Sequence, residues 1–412
     1  MAMQEPVIDI GSIYEQIKKR PPSSSLGLIH NPFPPTGIAG TGEEAVPFYP
    51  RQGYITVLNE FVRSSLQGSD FCGLVVMGEY GSGKTSLLRH FAKEVASAQA
   101  RGIPVGAVYV ANPGTSFADV LQSMTRSIGQ TVLAKYAWAH VINWLKVSPT
   151  DDDFSAVGLP VPPKDQLATL SDAHEFWALF HEQLDISRED IAGAVASVMQ
   201  QTLPDLGFAE GLSAIMLGDR SSASRTWSQL TKTLPPYSTK KPVPAERMAS
   251  LMTVFRSNGV EHLFLLIDEV EDVVFYRMTK RLRDDFTATL RAIIGEHGGN
   301  LSIALASNLP GWHLLVRGDA SLEDRFKFRI ELTELTSEEI HRLIGYYIEQ
   351  AKAPASDVAT RIFQGPVIDL LFKFRRRMPR PILTACHSLV ENFWNLDHEP
   401  SPKEIEQFLT SA

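Results

Sequence analysis

Cysteine, long apolar runs and excess basic charge are what this sequence has little of. Cys72 and Cys386 are the only cysteines among 412 residues, which excludes a disulfide framework or a zinc-binding spacing and predicts a reducing, cytoplasmic setting. No apolar run approaches the roughly 20 residues of a membrane span, and "MAMQEPVIDI" lacks the pattern of a secretory signal. We therefore expect no membrane attachment. The formal net charge of −8 argues against a general basic coat for nucleic acid but allows a local basic groove.

The sequence does contain apolar runs that alternate with helical patterns. "GLVVMG", "GAVYVAN", "HLFLLIDE", "LSIALASN" and "FKFRIEL" read as strands, and their length and apolar character favour a parallel α/β sheet of five strands. A long helical stretch interrupts the alternation, and the chain after the last strand reads as helical. The predicted organisation is an N-terminal arm (1–49), a core (50–114 and 259–333), a helical insertion (115–258) and a helical C-terminal domain (334–412).

A phosphate-binding loop follows the first of these strands. The stretch from Gly78 to Thr85, "GEYGSGKT", fits G-x-x-x-x-G-K-[ST] between a strand and a helix. Its glycines allow backbone N–H groups to converge on an anion at a helix N-terminus. Lys84 would reach the β- and γ-phosphates, and the Thr85 hydroxyl would coordinate Mg²⁺. The candidate nucleotide-binding residues of this loop are Gly78, Glu79, Tyr80, Gly81, Ser82, Gly83, Lys84, Thr85 and Ser86.

A second phosphate motif, "LFLLIDE", supplies the carboxylates that such a loop requires. Its apolar run places Asp268 at the carboxyl end of a strand, the edge at which open α/β sheets bind ligands. We expect this strand to neighbour the strand of the loop, with Asp268 holding Mg²⁺. Glu269 would act as general base on the attacking water.

These two motifs together resemble the AAA+ ATPases, and further residues match that family one by one. Asn308 ends a strand at the position of the family's sensor 1, Arg325 matches the arginine finger that completes the site of an adjacent subunit, and Arg380 lies in the sensor 2 region of a helical lid. Asn308 also suits a turn cap, and both arginines also suit an exposed surface. "FYPRQGYITVL" resembles the segment that contacts adenine, with the candidates Pro50, Arg51 and Ile55.

Within AAA+, "FRIELTELTSEEIHRLIGYYI" and the arginine at the start of a lid helix resemble the branch of origin-recognition and replication-initiator ATPases. Transposition regulators and the ATP-binding proteins of bacteriophage-exclusion systems are also similar. The chain departs from a minimal core in one respect: Lys84 and Asp268 lie 268 − 84 = 184 residues apart, a distance that the helical insertion explains.

The resemblance implies Mg²⁺-dependent ATP hydrolysis by a homo-oligomeric ring or spiral. Such an oligomer would act on or mark DNA, or load a partner onto it, in replication, transposition or defence. The alternative is an ATP-controlled scaffold that recruits an effector protein without acting on DNA. Basic residues after the acidic motif are candidates for phosphate contacts in a channel, although Asp284 and Asp285 also suit a solvated helix face. These basic residues are Arg277, Lys280, Arg281 and Arg283.

Overall fold

The computed structural model describes residues 25–35, 51–68, 70–147, 150–218, 220–232, 244–276, 279–317, 319–353 and 356–411. These residues fall into two compact units. The first, the sheet unit, takes in residues 51–79 and 87–331. The second, the helical unit, takes in residues 25–35, 80–86 and 332–411.

Five parallel strands form one sheet, as the sequence predicts for this α/β chain. The strands are β1 (Gly73–Gly78), β2 (Val105–Val110), β3 (His262–Ile267), β4 (Leu301–Ser307) and β5 (Phe328–Leu332). Every residue of β3 and β4 is buried, which is typical of parallel strands covered by helices on both faces.

The strand order is β2-β3-β4-β1-β5, and it corrects one expectation. Asp268 follows β3, and β3 does not neighbour the strand of the glycine-rich loop. Strand β4 lies between them, since Gly73 of β1 stands opposite Ile303 of β4 and Leu263 of β3 stands opposite Leu301 of β4. Connections that cross over the sheet separate strands in this way, and apolar runs alone do not report the order.

Helices surround the sheet and fill the long connection between β2 and β3. The helices before β5, which belong to the sheet unit except for the first three residues of α2, are α1 (Gln52–Gln67), α2 (Lys84–Ala100), α3 (Phe117–Ile128), α4 (Gln130–Val147), α5 (Asp151–Val157), α6 (Lys164–Thr169), α7 (Ala173–Trp177, continued by a π-helical turn over Ala178–Gln183), α8 (Arg188–Thr202), α9 (Leu206–Leu217), α10 (Arg220–Lys232), α11 (Pro244–Arg256), α12 (Val270–Tyr276), α13 (Lys280–His297), α14 (Leu309–Val316) and α15 (Ala320–Arg325).

The helices α3 to α11 share one hydrophobic core with the sheet. Val75 of β1 and Ile303 of β4 belong to the same buried cluster as Trp138 of α4 and Phe208 of α9. Trp138 lies with its ring centroid 5.2 Å from that of Phe176 and is 8% exposed, so this tryptophan is a core residue. The segment expected as an insertion thus extends the core of the sheet unit.

The helical unit has its own buried cluster, built mostly from the C-terminal helices. Thr336 and Glu339 have the spacing of a capping box in "TSEE", and they form one at the start of the first of these helices, because each side chain accepts a hydrogen bond from the other residue's backbone N–H. The helices are α16 (Ser337–Ala351), α17 (Val358–Ile362), α18 (Pro366–Phe374), α19 (Pro379–Phe393) and α20 (Pro402–Ser411).

Residues 25–35, which we call the strap, complete this cluster from the other end of the chain. Leu26, Leu28 and Phe33 are buried in it. Ile29 N–H donates to the Ala351 carbonyl at 2.9 Å, which ties the strap to the end of α16. The rest of the predicted N-terminal arm lies outside the described residues. Among the described helices, none combines the length and apolar character that crossing a bilayer requires.

Candidate functional site

The glycine-rich loop joins the end of β1 at Gly78 to the start of α2 at Lys84. Gly81 has φ +82° and Gly83 has φ +102°, backbone angles that side chains other than glycine's rarely adopt. A Cβ built on Gly83 would meet nothing within 4 Å, so the backbone angle, and not crowding within the chain, requires this glycine. The loop therefore leaves open space beside backbone N–H groups at a helix start, an arrangement suited to an anion.

Two buried polar side chains belong to this loop. Ser82 is 7% exposed, and its Oγ has no hydrogen-bond partner among the residues that the structure describes. Buried hydroxyls are normally paired, so this hydroxyl retains the capacity to bond an external partner. Lys84 is 8% exposed, a degree of burial that is rare for lysine. The loop residues therefore fit a bound phosphate group.

Arg380, at the start of α19, lies against the same loop within the helical unit. Its backbone N–H donates to the Gly81 carbonyl at 3.2 Å, and its guanidinium lies 4.6 Å from the centroid of the exposed Tyr80 ring. A Cβ on Gly81 would come within 3.0 Å of the Arg380 Cβ. The structure thus brings Arg380 to the loop. Helix α19 begins one residue earlier, at Pro379, whose fixed φ suits a first helical position.

Asp268 directly follows β3 and is 1% exposed. Its Oδ2 accepts a hydrogen bond from the Tyr109 hydroxyl at 2.8 Å, and its Oδ1 accepts one from the Glu269 backbone N–H at 2.9 Å. Burial, and then the charge of Asp268, raise the pKa of Tyr109, so the phenol stays a neutral donor. Both carboxylate oxygens are therefore held from within the chain.

Sequence reasoning missed Tyr109. The available signal was a hydroxyl-bearing residue within the apolar run "GAVYVAN", one position before the end of β2. Tyr109 pairs in register with Leu266, two residues before Asp268 on the adjacent strand. That adjacency became visible only once β2 and β3 were known to be neighbours.

Glu269 is exposed and has φ +54°, a left-handed backbone. Among the described residues, only Asp185 shares a positive φ without being glycine. Such strain is found mostly where surrounding structure and function require it.

Asn308 directly follows β4, which pairs with β3, so its backbone lies at the same sheet edge as Asp268. Its Oδ1 accepts a hydrogen bond from Gly311 N–H at 2.7 Å, which caps α14. A Cβ on Gly311 would come within 2.8 Å of Glu271 Cβ and 2.9 Å of this oxygen. The cap uses the carbonyl oxygen and not the amide N–H donors, so capping is compatible with the sensor role, which stays a prediction.

Arg325 ends α15 shortly before β5 begins, so it lies at the end of the sheet where the strands start, opposite to the end that carries Asp268. Its carbonyl oxygen lies 2.9 Å from the position of a Cβ on Gly73, the first residue of β1. The glycine-rich loop follows the last residue of that strand, Gly78. Six residues of strand at roughly 3.3 Å each separate the two ends by about 17–20 Å.

The candidate adenine contacts fall at the start of α1. Arg51 is the residue before this helix; its Nη1 donates to the Tyr54 hydroxyl at 2.6 Å, and its guanidinium lies 5.3 Å from the Tyr54 ring centroid. Ile55, on the first turn, is half-buried. Pro50 lies outside the described residues, as does Arg277 among the candidate DNA contacts.

The other three candidate DNA contacts lie in the first turn of α13. Lys280 and Arg281 are exposed, and Arg283 is half-buried. Arg281 Nε lies 4.0 Å from the Asp285 carboxylate, and both side chains are largely exposed, so this ion pair contributes little to stability. In the helical unit, Arg377 pairs with Glu334 and its guanidinium lies 5.0 Å from the Phe372 ring centroid, which gives it a structural role.

In the described part of the chain, no group of three or more histidine, cysteine or acidic side chains is arranged to hold a metal ion. The Mg²⁺ site expected from the sequence is of another kind. It would use one carboxylate (Asp268) and one hydroxyl (Thr85), and phosphate oxygens of the nucleotide would supply further ligands. His140 is a core residue: its ring nitrogens lie 2.8 Å from Ser257 Oγ and 2.7 Å from Thr202 Oγ, and burial lowers the pKa of His140 to about 4.

No protein-family model matches this sequence, and no curated protein matches it significantly. Solved structures with a similar fold include the Aeropyrum pernix ORC2 protein in its ADPNP–ADP complexes (12% identity, TM-score 0.49, 90% of this chain and 70% of that chain). They also include the Aeropyrum pernix ORC1 protein in complex with DNA (13% identity, TM-score 0.40, 90% and 67%). These are origin-recognition proteins, the branch that the sequence motifs resemble. With TM-scores below 0.5, they say nothing about the activity of this chain.

Proposed function

We propose that this protein binds and hydrolyses ATP with Mg²⁺. The observation that carries the proposal is the loop between β1 and α2: two glycines with positive φ, a buried lysine at the helix start and a buried serine hydroxyl without a partner in the described chain. A triphosphate would supply the missing acceptor for Ser82 and would bind the ammonium of Lys84. Helix α2 would add the favourable potential of its N-terminus.

The chain's own residues divide the work of hydrolysis. Lys84 and the loop N–H groups would hold the β- and γ-phosphates, and Arg380 would bind the same anion from the start of α19. Thr85 and Asp268 would hold Mg²⁺, which neutralises phosphate charge when it is bound. Glu269 would take the proton of the attacking water, and Asn308 would orient that water.

The position of Arg325 supports a homo-oligomer. Its backbone lies beside the first residue of β1, whereas the loop follows the last, about 17–20 Å away along the strand. An extended arginine side chain does not cover that distance, so Arg325 would reach the γ-phosphate held by a neighbouring subunit. Assembly would then control turnover, because developing charge is stabilised only when the arginine is supplied.

DNA is the partner that we propose for the oligomer. The support is the basic first turn of α13, where Lys280 and Arg281 are exposed. Side chains of this kind would contact backbone phosphates and not bases, so binding would be insensitive to sequence and would weaken with salt. Recruitment of an effector without DNA is the competing outcome.

Nucleotide binding and turnover test the proposal directly. Lys84→Ala should lose tight ATP binding, since the main side-chain charge on the phosphates is removed. Glu269→Gln should bind ATP and hardly hydrolyse it, because an amide does not accept the water's proton. Unchanged ATP affinity in Lys84→Ala would refute the phosphate site, and wild-type turnover in Glu269→Gln would refute the base.

Measurements of ATP turnover also distinguish between DNA and an effector protein as the partner. Turnover of the wild-type protein is measured with and without duplex DNA at two salt concentrations. Strong, salt-sensitive stimulation supports action on DNA, whereas slow turnover that ignores DNA supports the scaffold. Replacing Lys280 and Arg281 by alanine should remove the stimulation and leave ATP binding without DNA unchanged. Control substitutions at Arg361 and Lys403, which carry exposed basic charge in the helical unit, should have no effect.

A further inference from the structure

Tyr109 contacts the candidate metal carboxylate directly. Its hydroxyl donates to Asp268 Oδ2 at 2.8 Å across the β2–β3 pair. Asp268 Oδ1 is held from the other side by the Glu269 backbone N–H at 2.9 Å. A carboxylate with one donor on each oxygen has a fixed plane, so the tyrosine determines how the remaining lone pairs are presented.

The tyrosine is itself held in place. The Arg89 guanidinium of α2 lies 5.3 Å from the Tyr109 ring centroid, in the range of a cation–π contact. Helix α2 is also the helix that begins with Lys84 and Thr85. Arg89 and Tyr109 therefore connect the body of this helix to Asp268 through two side-chain contacts.

The bond from Glu269 N–H to Asp268 extends this arrangement to the candidate base. Glu269 has the left-handed backbone, and the bond to Asp268 Oδ1 is one of the contacts that hold it there. Rotation of the Asp268 carboxylate would weaken that bond. The orientation of Asp268 and the backbone of Glu269 are therefore coupled.

We infer that Tyr109 is a positioning residue, which orients the Asp268 carboxylate for Mg²⁺ and thereby holds Glu269 in its left-handed conformation. The inference rests on the proposed function. It adds a residue outside both phosphate motifs. Removing the hydrogen-bond partner of a metal-binding carboxylate typically lowers metal affinity or activity by about 10–100-fold.

Tyr109→Phe removes one hydroxyl and retains the ring beneath Arg89. We expect the Mg²⁺ concentration for half-maximal turnover to rise about 10-fold or more, with a lower maximal rate. Binding of a fluorescent ADP analogue is the second readout. Its affinity with Mg²⁺ should fall, and its affinity in EDTA should not change, since the phosphate loop is untouched.

Tyr136→Phe is the matched control. Tyr136 lies on α4 in the same unit, its hydroxyl accepts a hydrogen bond from Gln99 Nε2 at 3.4 Å, and its ring packs edge-on against Phe255. Loss of this hydroxyl should leave the Mg²⁺ dependence unchanged. Asp268→Asn tests the route of the effect: in that background Tyr109→Phe should cause no further change in Mg²⁺ dependence.

The outcomes distinguish this inference from the proposed function. Wild-type protein that binds no ATP overturns both. If the wild-type protein hydrolyses ATP but Tyr109→Phe has an unchanged Mg²⁺ dependence, only the role of Tyr109 is overturned and the proposed function stands. If Tyr109→Phe does not fold, Tyr109→His, which keeps an N–H donor, is compared with Tyr109→Met, which has none. Equal Mg²⁺ dependence in that pair also overturns the role.

Discussion

Glu269 keeps a large side chain where the backbone favours glycine. A left-handed conformation costs a residue with a Cβ about 1–2 kcal/mol, and Glu269 adopts it with φ +54°. Gly81 and Gly83, in the phosphate loop, meet the same demand without that cost. The carboxylate at position 269 therefore carries a cost in local stability, which agrees with the role of base that we propose for it.

A pair of substitutions at this position measures that strain. Glu269→Gly should be more stable to urea than Glu269→Ala by about 1 kcal/mol, because both lack the side chain and only glycine relieves the backbone. Both variants should lack ATP hydrolysis. At Asp185, which has φ +52°, the same comparison should give a similar stability difference with no loss of turnover. A Glu269→Gly variant less stable than Glu269→Ala would contradict the strain argument.

Individual site residues were predictable from the sequence where the motif that identifies them spans only a few neighbouring positions. The loop glycines, Lys84 and Asp268 stand in short motifs with strand and helix signals beside them, and the structure gives those signals the predicted form. Tyr109 was not predictable, because its partner lies 159 residues away and on a strand whose neighbours the sequence did not reveal.

Helices α9 and α11 are joined by a buried ion pair. Arg247 Nε lies 2.5 Å from Asp205 Oδ2, and both residues are almost fully buried. Asp205 also caps α9 through the Phe208 N–H, and the Arg247 guanidinium lies 4.5 Å from the Phe208 ring centroid. The pair fixes the register of one helix against the other.

Breaking this pair from one side should be costly. Arg247→Ala leaves the Asp205 carboxylate buried and unpaired, and we expect the free energy of unfolding to fall by about 3–5 kcal/mol. Arg247→Met combined with Asp205→Ser removes both charges and keeps a capping hydroxyl, so most of the loss should be recovered. Urea unfolding of the single and double variants measures this. A double variant as unstable as Arg247→Ala would show that the charges themselves stabilise the unit.

At the level of elements, the strands and the capping box of α16 followed from the sequence, because apolar runs and capping residues act over a few positions. Two features did not follow. The place of β4 between β1 and β3 depends on crossover connections, and the inclusion of α3 to α11 in the core of the sheet depends on packing over long distances in sequence.

Mixing inactive variants tests whether Arg325 acts between molecules. Arg325→Ala should bind ATP and lose turnover by about 10³-fold, as removal of an arginine finger does. Mixed with Glu269→Gln, it should regain activity, since one kind of interface then pairs an intact Arg325 with an intact Glu269. Co-assembly of the two variants without rescue would show that Arg325 acts elsewhere.

Arg329→Ala is the matched control for this experiment. Arg329 lies four residues further along, on β5, and pairs with Glu323 on the surface at 3.0 Å. Turnover of Arg329→Ala should stay near the wild-type value. A mixture of Arg329→Ala with Glu269→Gln should be no more active than a mixture of wild-type protein with Glu269→Gln.

The strap makes completion of the helical unit a late event in synthesis. Ser25 Oγ donates to the Phe393 carbonyl, 368 residues further on, and Asn31 donates to the His387 carbonyl after 356 residues. A ribosome adding about 5–20 residues per second needs roughly 20–70 s to make that span. Until α16 and the helices after it have been made, Leu26, Leu28 and Phe33 lack the residues that bury them. The nascent chain therefore carries an apolar segment that chaperones can bind until the last helices leave the ribosome.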